Sequence, residues 1–310
     1  MASVPTVLRL LAASVKIAEK SGNIVRRILS SGELGIVEKE NVNDLQTEAD
    51  RTVQRCIVSS LYHNFPKLTV IGEEDDLDET VDKDIMETGF ADDVMAMTCP
   101  EKFVNAPESE LVMWVDPLDG TKEFTQGLLD HVTVLIGLSW QGKAIGGVIH
   151  QPYFNYQNKG AELGRTIYSL NGLGVFGLTD KKPPTEGNII ATTRSHSNKA
   201  VNDSIEACEP TEVLRVGGAG HKVMLLLDGV VHAYVFASPG CKKWDTCAPE
   251  AILKEKGGTL TDMHGSDLQY HKEVQRQNTG GVLATLHSDH SWYLNRIPAS
   301  VKEALNPVKS

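Results

Sequence analysis

Two aspartates stand three residues apart where an apolar run ends, in the sequence Trp-Val-Asp-Pro-Leu-Asp-Gly-Thr. Pro117 biases Asp116 towards an extended backbone, and Gly120 permits a tight turn directly after Asp119. The two carboxylates and the intervening carbonyl oxygen of Leu118 can therefore converge on one point, where they would suit a hard cation such as Mg²⁺. The alternative for this segment is a solvated turn, because Asp, Pro and Gly all favour turns.

Three other segments place acids where they could join such a site. Glu73 and Glu74 follow a short apolar run, and the alternative for this pair is a solvated position. Asp245 stands at a predicted helix start, where it could equally be the N-cap residue with Pro249 in the first turn. Asp50 lies on a predicted helix, where an acid is most often part of a polar face.

Composition limits the class of protein. The 310 residues, 41% hydrophobic and 23% charged, predict a globular chain of one large domain or two of about 150 residues. The formal net charge of -11 argues against nucleic acid as a partner, although a bound metal can still attract a small anionic substrate. Five cysteines without a CxxC pair indicate free thiols in a reducing compartment, so we expect a cytoplasmic protein.

Periodicity in the N-terminal half of the chain predicts helices packed on an antiparallel sheet. Residues 7–25 form a long amphipathic helix pattern broken by charges, and no segment is apolar enough to cross a membrane. A second helix is predicted over residues 45–61, with Asp44 as its start signal. Predicted strands cover 68–71, 111–115, 132–140, 143–151, 166–168 and 174–176, with a turn at Gln141-Gly142.

A composition change at residues 181–184, Lys-Lys-Pro-Pro, predicts a boundary between an N-terminal region, residues 1–180, and a C-terminal region, residues 181–310. Beyond it, strands alternate with helices, which is typical of an α/β layer. Strands are predicted at 188–192, 213–216, 231–236 and 259–261, and helices at 198–208, 220–227 and 244–256.

Taken together, the acidic segments resemble the lithium-sensitive, magnesium-dependent phosphomonoesterase superfamily. Its pattern is an Asp, a Glu-Glu pair, Asp-Pro-Ile/Leu-Asp-Gly/Ser-Thr and Trp-Asp-x-x-Ala, in the order found between Asp50 and Ala248. One departure is Pro249, where many members have Gly. Within the superfamily the chain is similar to the 3′(2′),5′-bisphosphate nucleotidases, on residues 116–124, 193–197, 216–222 and 241–245. The resemblance implies an α/β (α+β) fold, a layered αβαβα sandwich.

The resemblance also implies a site. Its metal ligands would hold two or three Mg²⁺ and are Glu73, Asp116, the Leu118 carbonyl, Asp119 and Asp245. Carboxylates packed this closely would repel one another or take up protons unless cations neutralised them. Thr121 and Asp50 would activate the attacking water, although Thr121 could also cap a short helix. Glu74 is expected beside the first metal.

Substrate contacts follow from the same resemblance. The residues concerned are Gly120, Thr193, Ser195, His196, Gly218 and Lys222. The glycine-rich stretch 217–220 could bring a phosphate to backbone N–H groups at a helix N-terminus, or could be only a turn, and His196 could be structural. The expected activity is Mg²⁺-dependent hydrolysis of adenosine 3′,5′-bisphosphate to AMP and phosphate, with 3′-phosphoadenylyl sulfate as a second substrate and inhibition by Li⁺.

Two other functions stay open at this point. The same chemistry could act on inositol 1,4-bisphosphate, as a main or side activity. A pocket for adenosine would distinguish a nucleotidase from this alternative, and the sequence does not define such a pocket. A catalytically silent metal or nucleotide sensor is the other alternative, and loss of a ligand would indicate it. Every ligand position carries a suitable residue.

Overall fold

The computed structural model describes residues 4–39, 45–74, 83 and 85–306. Asp44, the expected helix start, and most of the acidic stretch after Glu74 lie outside these residues. Within the described residues, no helix is long and apolar enough to cross a membrane. All five cysteines are buried and unpaired.

Besides three short 3-10 helices, Glu101–Phe103, Glu108–Glu110 and Leu129–His131, twelve α-helices and β-strands are described up to residue 176. They are α1 (Thr6–Ser31), β1 (Val37–Glu38), β2 (Leu45–Gln46), α2 (Glu48–Asn64), β3 (Thr69–Gly72), α3 (Asp92–Met95), β4 (Leu111–Asp119), α4 (Thr121–Thr125), β5 (Thr133–Trp140), β6 (Lys143–Gln151), β7 (Arg165–Leu170) and β8 (Gly174–Phe176). The predicted β5–β6 hairpin is confirmed. Gln141 and Gly142 both have positive φ, as a two-residue type I′ turn requires.

The elements after the predicted boundary alternate between strand and helix as expected, up to residue 261. They are β9 (Ile189–Thr193), α5 (Lys199–Ala207), β10 (Glu212–Val216), α6 (Ala219–Leu227), β11 (Ala233–Phe236), α7 (Lys243–Glu255), β12 (Thr259–Thr261), β13 (Val282–Thr285), α8 (His290–Arg296) and α9 (Ala299–Ala304). The last three elements were not predicted. The division into 1–180 and 181–310 stays a prediction, since α7 packs against both sheets.

Two large sheets and three helix layers make up the fold, and β1 and β2 form a separate two-stranded sheet. The first sheet has the order β3-β4-β5-β6-β7-β8, and the second has β10-β9-β11-β13-β12. Helices α1 and α2 pack on the first sheet, α6 and α7 contact both sheets, and α5 and α8 pack on the second sheet, with α9 against α5. The predicted αβαβα sandwich is confirmed.

Strand β4 of the first sheet contributes side chains to two separate hydrophobic cores. Leu111, Met113 and Val115 face the core shared with α1 and α2. Val112 and Trp114 face the core shared with α6, α7 and the second sheet. Successive side chains of a strand point to opposite faces, so this near-continuous apolar run is buried on both sides.

Helix α7 lies unusually close to the first sheet. A Cβ at Gly137 of β5 would come within 2.6 Å of the Cβ of Cys247, and a Cβ at Gly147 of β6 would come within 2.6 Å of the Cα of Ala248. Real Cβ atoms do not make such contacts. The two glycines therefore let the backbone of the helix rest directly on the strands.

Two helix starts differ from prediction. Helix α2 begins at Glu48, three residues later than expected, because the side chain of Thr47 accepts the N–H of Ala49 while Leu45 pairs in β2. Helix α7 begins at Lys243, so Pro249 lies inside the helix and not in its first turn. Asp245 is the third helical residue, and its role as N-cap is wrong.

Candidate active site

The end of β4 brings the predicted ligands together. The register of β4 against β5 shifts between Asp116 and Asp119, and the N–H of Leu118 donates to Asp116 Oδ1 at 3.0 Å. Gly120 follows with φ 87°, the left-handed conformation that favours glycine. Asp116 and Asp119 are both buried, so the alternative of a solvated turn is wrong. One oxygen each of Asp116, Asp119 and Asp245 lies within 4.8 Å of the others.

The carboxylate of Asp119 is held by three donors. The N–H of Ala219 donates to Oδ1 at 2.7 Å, and the N–H of Gly220 donates to Oδ2 at 2.8 Å. The hydroxyl of Thr133 donates to Oδ2 at 2.7 Å. The expectation that a substrate phosphate uses these first amides of α6 is therefore wrong for Ala219 and Gly220, which bind a protein carboxylate instead.

Asp245 reaches the same point from the first turn of α7. Its Oδ2 accepts the backbone N–H of Lys242 at 2.6 Å, so the side chain folds back over the start of the helix. A carboxylate at this place also suits the positive end of the helix dipole. Helix α7 thus places one acid beside the two predicted ligands on β4.

Glu73 and Glu74 follow β3, which runs parallel to β4. The N–H of Glu73 donates to Val115 O at 3.0 Å, so Glu73 stands beside the carboxyl end of β4. The carboxylate of Glu74 accepts from Lys39 Nζ at 2.6 Å and from the side-chain amide of Gln46. Glu74 is buried, so a solvated position is wrong for it. It joins the β1–β2 hairpin to the site.

Gln54 on α2 is a residue that sequence reasoning missed. Its Oε1 accepts the N–H of Glu74 at 3.2 Å, and its Nε2 donates to the carbonyl oxygen of Glu74. A Cβ at Gly72 would come within 2.4 Å of this amide. The spacing of Asp50 and Gln54 by four residues, which places them on one helix face, is the signal that could have found it.

Asp50 and Thr121 form the predicted pair. Thr121 Oγ1 lies 2.8 Å from Asp50 Oδ1 and 2.9 Å from Leu118 O, and it makes no cap on α4. Asp50 Oδ2 accepts from the N–H and the hydroxyl of Thr47 at 2.7 and 2.5 Å. Burial raises the pKa of Asp50 to about 7 in spite of these bonds.

The carboxylate cluster suits a cation. Burial raises the pKa of Asp116 well above its ordinary range, and the neighbouring charges of Glu73, Asp119 and Asp245 add to the effect. Burial also raises the pKa of Glu73 and Asp119, and that of Asp245 to about 7. Because oxygens alone face one another, a hard divalent ion fits this donor set.

The predicted substrate residues line a cavity of about 170 Å³ beside the cluster. Its walls include Glu73, Asp119, Gly120, Thr121, Thr193, Ser195, His196, Gly218, Lys222 and Asp245. Thr193 Oγ1 accepts the N–H of His196 at 3.0 Å, and Ser195 Oγ lies 3.1 Å from His196 Nδ1. Lys222 Nζ donates to Gly218 O at 2.7 Å, and burial lowers the pKa of Lys222.

Sequence reasoning missed one residue of this wall and two histidines behind it. Glu123 lines the cavity and forms an ion pair with Arg194 at 3.2 Å. The imidazole of His131 accepts the N–H of Gly217 at 3.2 Å and stacks on His221, with 4.6 Å between the ring centroids. Their partners lie in other elements, so local sequence carries no signal for these contacts.

The comparisons with known proteins agree with this geometry. The model of the inositol monophosphatase family matches residues 7–301, and the chain belongs to that family. A human protein named 3′(2′),5′-bisphosphate nucleotidase 1 is 56% identical over 309 residues, which cover 99% of this chain and 100% of that protein. The resemblance seen in the sequence is thereby confirmed.

Solved structures share the fold at low identity. The extragenic suppressor protein suhB from Bartonella henselae has a TM-score of 0.69 and 19% identity, covering 94% of this chain and 98% of that one. An IMPase/NADP phosphatase complexed with Mg²⁺ and phosphate has a TM-score of 0.65 and 16% identity, covering 91% and 92%.

Proposed function

We propose that this protein is a magnesium-dependent phosphatase that hydrolyses the 3′-phosphate of adenosine 3′,5′-bisphosphate, giving AMP and phosphate. The observation that carries the proposal is one cavity lined by Thr121, by three acids of the cluster and by the cationic Lys222. The choice of a nucleotide is supported by the human bisphosphate nucleotidase, which matches over its full length.

The carboxylates of Glu73, Asp116, Asp119 and Asp245 and the carbonyl of Leu118 would hold two or three Mg²⁺. When bound, Mg²⁺ neutralises this cluster, polarises the phosphoryl group and makes water more acidic. The cluster without a cation is a set of buried like charges, which is why its pKa values rise.

Proton transfer is assigned to Asp50 and Thr121. The hydroxyl of Thr121 orients the attacking water and accepts its proton while donating its own to Asp50 Oδ1, 2.8 Å away. A base is most effective when its pKa lies near the working pH, and the pKa of Asp50, about 7, meets that condition. Thr47 fixes the other oxygen of Asp50, so only Oδ1 faces the hydroxyl.

Substrate binding is assigned to the other wall of the cavity. Lys222 supplies a positive charge for a phosphate, and His196 and Thr193 supply hydrogen-bonding groups for phosphate or sugar. Ser195, Gly120 and Gly218 complete this wall. Burial lowers the pKa of His196, which favours the neutral imidazole at neutral pH.

A phosphate-release assay over candidate substrates tests the proposal. Adenosine 3′,5′-bisphosphate should be hydrolysed most efficiently, with 3′-phosphoadenylyl sulfate as a second substrate. A higher kcat/KM for inositol 1,4-bisphosphate would favour the inositol phosphatase alternative. No turnover of any of the three with saturating Mg²⁺ would favour a silent sensor, although the full ligand set speaks for an enzyme.

Lithium inhibition is proposed from the same family resemblance. Li⁺ is small and monovalent, so it can replace Mg²⁺ without supplying enough charge for the reaction. Inhibition curves should show an effect of Li⁺ at concentrations where Na⁺ has none, and coinciding curves would contradict this. A cytoplasmic location is proposed from the five unpaired cysteines, which suit a reducing compartment.

A further inference from the structure

Residues 276–278 run antiparallel to the residues that begin helix α7. The N–H of Lys243 donates to Arg276 O at 2.8 Å, and the N–H of Asn278 donates to Cys241 O at 2.8 Å. Lys242 and Gln277 form a bridge between these two bonds. We call residues 276–278 the strap, because they bind the chain on both sides of Lys242.

The side chain of Asn278 uses both ends of its amide on the first turn of α7. Nδ2 donates to Lys242 O at 3.0 Å and to Thr246 Oγ1 at 3.1 Å. Oδ1 accepts from the buried ammonium of Lys243 at 2.5 Å. Asn278 is fully buried, so no water replaces these partners if the amide is lost.

These bonds enclose Asp245. Lys242 and Thr246 stand before and after it, and the N–H of Lys242 holds Asp245 Oδ2 at 2.6 Å. Asn278 therefore fixes the carbonyl of the residue whose N–H orients the carboxylate. Behind Thr246, the hydroxyl of Tyr270 donates to Glu250 Oε2 at 2.5 Å, which anchors the next turn of α7.

We propose that Asn278 is a positioning residue for Asp245, which sets the affinity for Mg²⁺ without touching metal or substrate. The inference rests on the proposed function, because it takes Asp245 as a metal ligand. Groups that orient metal ligands act on affinity through the direction of the ligand's lone pairs, and their loss weakens binding by roughly 10- to 100-fold.

The Asn278→Asp variant distinguishes a displaced Asp245 carboxylate from a general loss of folding. The carboxylate keeps an acceptor for Lys243 but puts an oxygen against Lys242 O, where Nδ2 donated. The matched control is Gln277→Ala, on the same strap, because the side chain of Gln277 bonds Pro239 O and not α7. Asp245→Asn reports the loss of the ligand itself.

Calorimetric titration of the full chain with Mg²⁺, without substrate, is the measurement. Asn278→Asp should raise the Kd for Mg²⁺ roughly 10- to 100-fold, while Gln277→Ala keeps the native value. Turnover of Asn278→Asp should return towards the native kcat at high Mg²⁺, which a general loss of structure would not allow. Circular dichroism checks that each variant is folded.

The outcomes separate the two proposals. If the native chain does not bind Mg²⁺, or if Asp245→Asn binds it as well as the native chain does, the proposed site is overturned. If Asp245→Asn weakens binding but Asn278→Asp does not, only the inference is overturned. Equal weakening by Gln277→Ala would also overturn it. Should Asn278→Asp fail to fold, Thr246→Val removes the hydroxyl that Nδ2 bonds, and an unchanged Kd then overturns the inference.

Discussion

The N–H of Gly220 donates to Asp119 Oδ2 at 2.8 Å, across 101 positions of the chain. This bond ties the end of β4, which carries the proposed metal ligands, to the start of α6, which carries Lys222. The proposed catalytic and substrate sides of the cavity therefore share one carboxylate. A change at Asp119 should affect both.

Asp119→Asn should cost stability as well as metal binding. Donors approach both oxygens of Asp119, so an amide NH₂ meets an N–H donor in either orientation. The loss should be about 1–3 kcal/mol in the free energy of unfolding. Asp245→Asn is the control. A backbone N–H approaches only Oδ2 of Asp245, so the asparagine can place its amide oxygen at that position and keep the bond. Urea unfolding in EDTA should show the larger loss for Asp119→Asn, and equal losses would contradict this.

Thr121→Val should lower kcat by roughly 10²- to 10⁴-fold, the usual contribution of acid–base catalysis. Valine keeps the shape of threonine but removes the hydroxyl that bonds Asp50. Thr121→Ser, which keeps the hydroxyl, should retain most of the activity. Steady-state rates at saturating Mg²⁺ are the measurement. A Thr121→Val variant with native kcat would remove the pair from the mechanism.

Lys222→Met and His196→Ala should raise KM for the nucleotide more than they lower kcat. Losing a charge-assisted hydrogen bond to phosphate costs roughly 1.5–3 kcal/mol, or about ten- to a hundredfold. Inositol 1,4-bisphosphate has no adenosine, so the preference between the two substrates should change. We would measure kcat/KM for both substrates in each variant. An unchanged ratio would show that these residues do not select the nucleotide.

Acid should destabilise the protein through His150. Its Nδ1 lies 2.9 Å from Thr166 Oγ1, its other side packs against Gly22, and burial lowers its pKa to about 3. Between pH 6.5 and 3 the unfolded imidazole binds a proton that the folded one does not, so stability falls as the pH falls. This one group contributes up to about 1.4 kcal/mol per pH unit.

Urea unfolding of the native chain and of His150→Gln between pH 7 and 5 measures this effect. In the variant, the free energy of unfolding should fall less steeply as the pH is lowered. The difference between the two slopes should correspond to close to one bound proton. Both chains need saturating Mg²⁺, so that the carboxylate cluster stays ionised. Parallel curves for the two chains would contradict a buried neutral His150.

The convergence of Asp116 and Asp119 on β4 could be predicted from the sequence because their geometry is local. Pro117 and Gly120 set the turn within the same five residues that hold Asp116 and Asp119. The contact of Thr121 with a residue 71 positions away had no local signal, and only the family resemblance indicated it.

Other contacts could not be predicted at all. Thr133 supports Asp119 from a strand that meets it only in the folded chain. The partner of the amides at the start of α6 could not be predicted either. The glycine-rich pattern indicates an anion site but not which anion occupies it. Strand β13 and the last two helices lacked a periodic pattern strong enough to predict.

Two glycines, which have no side chains, set the distance between helix α7 and the first sheet. At Gly137 and Gly147 the strands offer the helix bare backbone, and a single added carbon would have to lift Cys247 or Ala248 away from the sheet. Asp245 lies in the same rigid helix, two residues before Cys247. The distance between the helix and the sheet therefore also sets the position of Asp245 in the proposed metal site. A methyl group added at either glycine would shift the helix and displace this carboxylate.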